Sequence, residues 1–371
     1  MNKSPILFTP FHLKELTLKN RIVMTPLYSG YANSDGMASQ MTLDHYREMA
    51  TSEVALIVVE NASVDQSGLG FPSNLRIDHD RYIPGLSSLA KVIHDQGALA
   101  FLQINHGGRY AFVPATLAPS PLKFGKVVPK EMTKEDIRRI VEAFKDGAKR
   151  AGEAGFDGVE IHGGTGYLLV QFLSPRTNLR KDSYGGNLEN RMHFVLEVME
   201  AILSGVGKEY PVGYRFLADE GLPDGLHSEE TSILAGELEK RGVAYLSVMA
   251  GTYDAFVLPE YIEKEKREAY MADYAGIIKK VVSKVPVITA GRIQTFDTAE
   301  KILEEGTADL IGLARVLLAD PLWLKKAKGL VDEPVIKCEP SCSLCTEMAM
   351  RGKKIFCSQW DKKRRDKFIK E

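Results

Sequence analysis

The chain has 371 residues, of which 44% are hydrophobic and 26% are charged, and its formal net charge is −1. This composition is typical of a globular protein with one large domain or two ordinary ones. The nearly balanced charge gives no electrostatic reason for binding nucleic acid or an anionic membrane. Residues 1–13 lack the apolar core of a secretory signal, and no apolar run reaches the length of a membrane span. We therefore expect a cytoplasmic protein.

Eight short, nearly continuous apolar runs divide the first 320 residues, as expected for strands that are buried on both faces. They cover residues 22–24, 55–59, 99–104, 158–161, 212–216, 245–249, 286–289 and 310–313. Amphipathic helical patterns lie between them. Thr133 and Asp136 predict a capping box at the start of one helix, and Thr295 is the predicted N-cap of another.

Eight strand–helix units over about 300 residues is the count of a TIM (β/α)8 barrel. The alternative is a doubly wound open sheet, which usually carries a glycine-rich G-x-G-x-x-G turn after its first strand. The segment after residues 22–24 has no such turn. We therefore predict an α/β fold, with a TIM barrel over residues 1–330 and a short cysteine-rich C-terminal extension over residues 331–371.

Polar side chains fall where a barrel would direct them toward one mouth. The chemistry of TIM barrels lies at the C-terminal ends of the strands. Gln103 and His162 end the third and fourth predicted strands, Tyr167 follows shortly after, and Arg215 lies within the fifth. Each could have a purely structural role, as a salt bridge, a packing contact or a partner for the backbone. Their joint placement predicts an active site.

The predicted strands seven and eight are each followed by a small residue and an arginine. These residues are Gly291, Arg292, Ala314 and Arg315. The loops at these positions are the usual phosphate site of TIM barrels, because backbone N–H groups converge there. Guanidinium groups add charge-assisted hydrogen bonds, so the pattern suits a phosphate ester.

All four cysteines fall within twenty residues, with the spacing C-x3-C-x2-C-x11-C. They are Cys338, Cys342, Cys345 and Cys357. In a reducing cytoplasm this cluster indicates a metal site rather than two disulfides. Four thiolates suit either an iron–sulfur cluster or a structural Zn²⁺.

Several long motifs resemble the Old Yellow Enzyme family of NADH:flavin oxidoreductases. They are LFTP at 7–10, LKNRIVM at 18–24, QINHGGR at 103–109 and QFLSPRTNLRKDSYGG at 171–186. The likeness covers nearly the whole chain, and the last motif is long and specific. It implies an FMN-binding barrel that reduces activated C=C bonds or oxidises amines.

The resemblance also implies roles for individual residues. Gln103 would hydrogen-bond the pyrimidine edge of the flavin, and Arg215 would lie beside its N1 and O2 atoms and stabilise the reduced anion. Tyr167 matches the position of the proton donor. The other flavin edge would be lined by Pro26, Leu27, Tyr28 and Asn61, and the phosphate held by Gly291, Arg292, Ala314 and Arg315.

Three positions depart from the family pattern. Many members carry a His-x-x-His or His-x-x-Asn pair that binds the substrate carbonyl, whereas this chain has His162 and Thr165. Tyr28 replaces the threonine or cysteine often found beside the flavin, and Tyr253 aligns with a histidine after strand six. We expect Tyr167 to be the acid, with His162 and Tyr253 positioning the substrate.

The cysteines resemble those of the subgroup that includes trimethylamine dehydrogenase and bacterial 2,4-dienoyl-CoA reductase. That likeness implies a [4Fe–4S] cluster on the four cysteines, although the gap from Cys338 to Cys342 is one residue longer than usual. Larger members continue into nucleotide-binding domains, so we expect electrons to come from a carrier protein or from NAD(P)H. The basic run 362–367 could dock an acidic carrier, or it could be a solvated helix.

The favoured function is an FMN and [4Fe–4S] ene-reductase that acts on an enoyl thioester or an α,β-unsaturated carbonyl. An amine dehydrogenase would need an aromatic bowl for its cation, and both tryptophans, Trp323 and Trp360, lie beyond strand eight. The alternatives are an amine dehydrogenase that passes electrons to a carrier, and an electron-transfer subunit of a larger complex. We also expect a homo-oligomer.

Overall fold

A computed structural model describes residues 4–369 of the chain. Its main sheet holds nine parallel strands; eight of them close into a barrel, because the last pairs with the first and the first with the second, and the short strand Leu75–Arg76 pairs with the second. The barrel strands are β1 Ile22–Met24, β2 Leu56–Ser63, β3 Leu99–Asn105, β4 Gly158–Gly163, β5 Val212–Asp219, β6 Leu246–Ala250, β7 Val287–Thr289 and β8 Leu310–Leu313. The predicted TIM barrel is confirmed, and each of the eight predicted runs forms a strand.

The helices surround the barrel in chain order. They are α1 Gln40–Ala50, α2 Ile83–His94, α3 Lys134–Glu153, α4 Leu168–Leu173, α5 Leu188–Val206, α6 Ser228–Lys240, α7 Pro259–Glu265, α8 Ala272–Lys279, α9 Phe296–Glu304, α10 Arg315–Ala319, α11 Trp323–Ala327, α12 Leu344–Met350 and α13 Lys362–Ile369. The predicted capping box of Thr133 and Asp136 starts α3, and Thr295 caps α9 by accepting a hydrogen bond from the Thr298 N–H. Local capping therefore fixes where both helices begin.

An N-terminal hairpin, Phe11–Leu13 with Leu16–Leu18, covers the bottom of the barrel. Its buried Leu13 and Leu18 pack on the apolar side chains that fill the barrel interior, including Phe101. A second, larger core lies between the strands and the helices. The bottom is thus closed by apolar packing, and the polar strand ends face the opposite mouth.

The C-terminal extension folds back onto the mouth of the barrel. The Ile355 N–H donates to the Ser29 carbonyl over 2.9 Å, and the Trp360 indole donates to the Leu318 carbonyl over 2.7 Å. On α13, Arg364 pairs with Glu48 at 2.7 Å and stacks on the Trp360 ring. Part of the basic run is therefore engaged by the barrel instead of lying free in solvent.

No helix within residues 4–369 is long and apolar enough to cross a membrane.

Candidate functional site

All eight strands deliver residues to the mouth of the barrel, where two cavities share part of their walls. The outer cavity, of about 580 Å³, lies over the ends of β7 and β8, and the inner cavity, of about 200 Å³, lies over β2 to β6. Such volumes suit a cofactor and a small substrate. The cavities bring together all thirteen residues predicted for catalysis and cofactor binding: Pro26, Leu27, Tyr28, Asn61, Gln103, His162, Tyr167, Arg215, Tyr253, Gly291, Arg292, Ala314 and Arg315.

A hydrogen-bonded network lies at the floor of the inner cavity. Parallel pairing sets Gln103 opposite Glu160 and Arg215 opposite Ser247. The Gln103 amide donates to Glu160 over 2.7 Å, Tyr245 donates to the other Glu160 oxygen over 3.0 Å, and Arg215 donates to Ser247 over 2.8 Å. Burial raises the pKa of Glu160, while the charge of Arg215 opposes that shift. The network fixes the Gln103 amide, so its carbonyl oxygen is left to accept a hydrogen bond.

Two further polar groups line the inner cavity. The Asn74 side chain donates to the Asn61 side-chain oxygen over 2.6 Å, which leaves the Asn61 NH2 group as a free donor. The Tyr28 hydroxyl is buried without a hydrogen-bond partner, and its ring packs on Phe71 with centroids 4.7 Å apart. Buried polar groups normally have partners. An unpaired hydroxyl in a cavity wall therefore fits a site that binds a polar molecule.

The predicted acid, Tyr167, is 3% exposed and lies directly beside Tyr253. Their hydroxyl oxygens are 2.7 Å apart. Before Tyr167 the chain turns through two left-handed residues, Thr165 at φ 61° and Gly166 at φ 93°. A β-branched residue rarely adopts this conformation, and such strain concentrates at functional sites. The turn places Tyr167 at the N-terminus of α4 with its hydroxyl in the cavity.

His162 is neutral in this setting. Burial, together with the charge of Arg215, lowers its pKa to about 3. Its ring lies 4.9 Å from the Tyr167 ring, and its Nδ1 atom is buried without a hydrogen-bond partner. A neutral imidazole can donate one hydrogen bond and accept another. His162 can therefore hold a carbonyl without adding charge to the cavity.

Basic groups gather at the outer cavity, where the phosphate was predicted. Gly291 has a φ of 94°, and a Cβ atom there would lie 2.9 Å from the Met271 side chain. Arg292 follows in the same left-handed region at φ 59°. Its Nη2 atom is buried and has no hydrogen-bond partner. A buried guanidinium with an unsatisfied N–H needs an anion, which fits the phosphate of FMN.

A polar network outside the cavities joins the loops that follow β3, β4 and β6. Arg109 donates to Asp254 over 2.7 Å and to the Tyr110 hydroxyl over 2.6 Å, and Tyr110 donates to the other Asp254 oxygen over 3.2 Å. Arg176 approaches Asp254 at 3.5 Å. The Tyr110 ring also packs on that of Tyr253. The network therefore holds the loop that carries Tyr253.

The extension forms the outer wall of both cavities. Helix α12 contributes Thr346 and Met350 to both of them, and Cys345 lines the inner cavity. Cys338 and Cys342 line the outer cavity. The cysteine segment is thus part of the same site as the barrel mouth.

The four thiols are free and lie near one another. Burial, with a smaller contribution from the other three thiols, raises the pKa of Cys357 to about 11. Within residues 4–369, no three His, Cys, Asp or Glu side chains lie close enough together to hold a metal ion. The donor chemistry fits a four-thiolate metal site. The distances between the thiols do not fit such a site, so the metal site stays a prediction.

Several residues of the site were not predicted from the sequence. Glu160 could have been noticed as a charged residue in an apolar strand, on the same grounds as Arg215. Asn74 comes from a loop and Glu265 from the end of α7, and neither belongs to a recognisable motif. The aromatic wall was also missed: neither tryptophan reaches the inner cavity, but it is lined by Tyr28, Phe71, Tyr167, Tyr253 and Phe256.

Comparison with known proteins identifies the chain as a flavin oxidoreductase. A family model described as the NADH:flavin oxidoreductase / NADH oxidase family matches residues 6–333. The chain belongs to this family, which confirms its resemblance to Old Yellow Enzyme.

One curated relative and two solved structures extend this result. The NADH oxidase of Thermoanaerobacter brockii is 42% identical over 353 residues, which cover 93% of this chain and 54% of the relative. The structure of 2-naphthoyl-CoA reductase matches with a TM-score of 0.91 and 26% identity, over 96% of this chain and 57% of that one. Histamine dehydrogenase from Rhizobium sp. 4-9 matches with a TM-score of 0.83 and 28% identity, over 95% of this chain and 52% of that one. The chain spans about half the length of these three proteins.

Proposed function

We propose that the chain uses bound FMN to reduce an activated C=C bond in an enoyl thioester or an α,β-unsaturated carbonyl. The observation that carries this proposal is the pair of buried hydroxyls, Tyr167 and Tyr253, 2.7 Å apart in a cavity whose walls contain no carboxylate. The 26% identity to 2-naphthoyl-CoA reductase, whose structure is a complex with 2-naphthoyl-CoA, supports a coenzyme A thioester as the substrate.

The proposed mechanism divides the work between the cofactor and the side chains. Bound FMN supplies hydride chemistry at its N5 atom. Gln103 and Asn61 would hold polar edges of the ring, and Arg215 would stabilise negative charge near N1 and O2. Arg292 and Arg315, with the backbone at Gly291 and Ala314, would hold the phosphate.

Proton delivery falls to Tyr167 in this mechanism. His162 would donate a hydrogen bond to the substrate carbonyl, which draws electron density away from the C=C bond. Tyr167 would then protonate the carbon next to the one that receives the hydride. Burial raises the pKa of Tyr167 well above its ordinary value, so the hydroxyl keeps its proton until the reaction removes it. Tyr253 would orient that hydroxyl and stabilise part of the negative charge that develops on it as the proton leaves.

The electrons would come from NAD(P)H or from a carrier protein through a [4Fe–4S] cluster on Cys338, Cys342, Cys345 and Cys357. The similarity to an NADH oxidase supports the first source. The cysteine wall beside the inner cavity supports the second. A Zn²⁺ on the same thiols would make the extension structural. A homo-oligomer remains part of the proposal.

An anaerobic preparation tests the cofactor content directly. FMN with roughly four irons and matching sulfide per chain would support delivery of single electrons through the extension. FMN with one zinc and no iron would leave NAD(P)H as the electron source. Absence of bound flavin after reconstitution would contradict the proposal as a whole.

A second candidate is an amine dehydrogenase, favoured by the aromatic lining of the inner cavity and by the likeness to histamine dehydrogenase. Aromatic faces attract cations. Arg215 is, however, the one charged side chain in that lining, and it would repel an ammonium group. Anaerobic mixing with histamine or trimethylamine should leave the flavin oxidised, whereas bleaching of the flavin would favour this candidate. A pure electron-transfer subunit would be unaffected by the loss of Tyr167.

A further inference from the structure

We infer that Glu265 is a built-in competitor for the phosphate of FMN, and that it limits how strongly the chain prefers FMN over riboflavin. The inference rests on the proposed FMN site and deepens it. It concerns the last residue of α7, whose carboxylate lines the outer cavity opposite the two arginines.

The geometry places one carboxylate between two guanidinium groups. The Glu265 Oε1 atom lies 3.7 Å from Arg292 Nη2 and 3.5 Å from Arg315 Nη1. Charge-assisted hydrogen bonds between such groups are about 2.7–2.9 Å long. Glu265 therefore neutralises part of the charge without making a close bond to either arginine.

Arg292 is oriented by main-chain groups and does not depend on this carboxylate for its position. Arg292 Nε donates to the Glu265 backbone carbonyl over 2.9 Å, and its Nη1 donates to the Cys338 carbonyl over 3.4 Å. Both acceptors are main-chain atoms, so they remain when the Glu265 side chain is changed. Within residues 4–369, Nη2 is buried without a hydrogen-bond partner, since Glu265 approaches it only to 3.7 Å, and it can donate to an anion.

No other carboxylate between residues 4 and 369 forms a salt bridge with Arg292 or Arg315. Lys266 and Glu347 also line the outer cavity, but Lys266 pairs with Glu263 and Glu347 accepts a hydrogen bond from Ser343. Arg215 also lines this cavity and donates to Ser247, so Glu265 is one loosely held anion facing the two arginines beside it.

A phosphate monoester brings a charge of about −1.5 to −2 to the same two arginines. Two anions at this spacing repel each other, so bound phosphate would drive the Glu265 side chain outward. The side chain is 31% exposed and ends a seven-residue helix, so it can turn toward solvent. Riboflavin has no phosphate and would leave Glu265 in place. The carboxylate therefore weakens the binding of FMN selectively.

The test compares Glu265→Gln with the wild type and with Glu263→Gln. The control removes the same charge from the same helix, at an exposed residue that pairs with Lys266. Flavin-free protein is titrated with FMN and with riboflavin, and binding is followed by quenching of flavin fluorescence. We expect Glu265→Gln to bind FMN about three- to tenfold more tightly, with riboflavin affinity unchanged. Glu263→Gln should match the wild type for both flavins.

Inorganic phosphate gives an independent readout, because it competes with FMN but not with riboflavin. Its inhibition constant against FMN should fall in Glu265→Gln by a similar factor, and Glu265→Ala should reproduce both changes. Unchanged or weaker FMN binding in Glu265→Gln would overturn the inference while leaving the FMN site intact. If the wild type and all variants bind neither flavin, the proposed FMN site fails, and the inference fails with it.

Discussion

Replacing Tyr167 by phenylalanine tests the proposed proton donor with little disturbance of packing. The ring is buried against His162 and Tyr253, with centroids 4.9 Å and 5.6 Å away, and phenylalanine keeps these contacts. The Tyr167 hydroxyl forms a hydrogen bond with the Tyr253 hydroxyl, 2.7 Å away. Losing one such hydrogen bond costs about 1 kcal/mol of unfolding free energy. The variant should therefore fold and bind FMN.

The chemical step should respond far more strongly than the stability. Loss of a positioned general acid typically slows a reaction by about 10²–10⁴-fold. We expect that loss in the reoxidation of reduced flavin by 2-cyclohexen-1-one or by a cinnamoyl thioester. Flavin reduction by NAD(P)H, or by dithionite if the chain does not use NAD(P)H, involves no proton from Tyr167 and should change by less than about twofold. Anaerobic stopped-flow absorbance separates the two half-reactions.

Tyr253→Phe is the matched comparison, because it removes the neighbouring hydroxyl and keeps the acid. Its oxidative half-reaction should slow by about 2- to 10-fold, which corresponds to the free energy that one hydrogen bond contributes. Wild-type reoxidation rates in Tyr167→Phe would refute the assignment of the donor. An equal loss in both half-reactions would show instead that the substitution disturbs the flavin site.

Three further outcomes follow from the contacts described above. Asp254→Asn should lower the free energy of unfolding by about 1.5–3 kcal/mol, because the side chains of Arg109 and Asp254 are only 9% and 19% exposed. Asp224→Asn, at a side chain that is 63% exposed, should lower it by less than about 0.5 kcal/mol. Chemical denaturation measures both losses, and equal losses would contradict the reasoning. Gly30→Ala should loosen the extension and speed tryptic cleavage after Lys353, since its Cβ would lie 2.7 Å from the Lys353 carbonyl at φ 71°; Gly125→Ala, with a similar φ of 57° and open space, should show no such change. The rate of the oxidative half-reaction should show no ionisation of His162 between about pH 5 and about pH 8, because its pKa is lowered to about 3 and the ring stays neutral above that pH; an inflection near pH 6.5 that disappears in His162→Gln would refute this.

The strands were predictable because buried parallel strands are apolar throughout, but the predicted ends stop early. The run predicted at 55–59 extends to Ser63, and that predicted at 212–216 extends to Asp219. The part missing from the first run, residues 60–63, is mostly polar and carries Asn61 into the site, whereas the second run was cut short before Leu217 and Ala218 and only its end, Asp219, is polar. Apolar periodicity reports burial, so it ends where the functional part of a strand begins.

The candidate site was predictable where a residue lies near the C-terminal end of a strand, as Gln103 does within β3 and Arg292 does shortly after β7. Supporting residues such as Asn74 and Glu265 were not, because their positions depend on how the long segments between the strands, including α7, fold back over the barrel. The thiol spacing could not be derived either. A metal gathers such ligands by binding them, and the sequence specifies only which ligands are available.

The wall that α12 adds to both cavities has a consequence for how a flavin reaches the site. A flavin must pass the segment that carries Cys345 and Met350 to reach the barrel mouth. That segment is tied down by residues on either side of the entrance, through the Ile355 bond to Ser29 and the Trp360 bond to Leu318. Entry of a flavin into the folded chain therefore requires the cysteine segment to move away from the mouth, and these two hydrogen bonds oppose that movement.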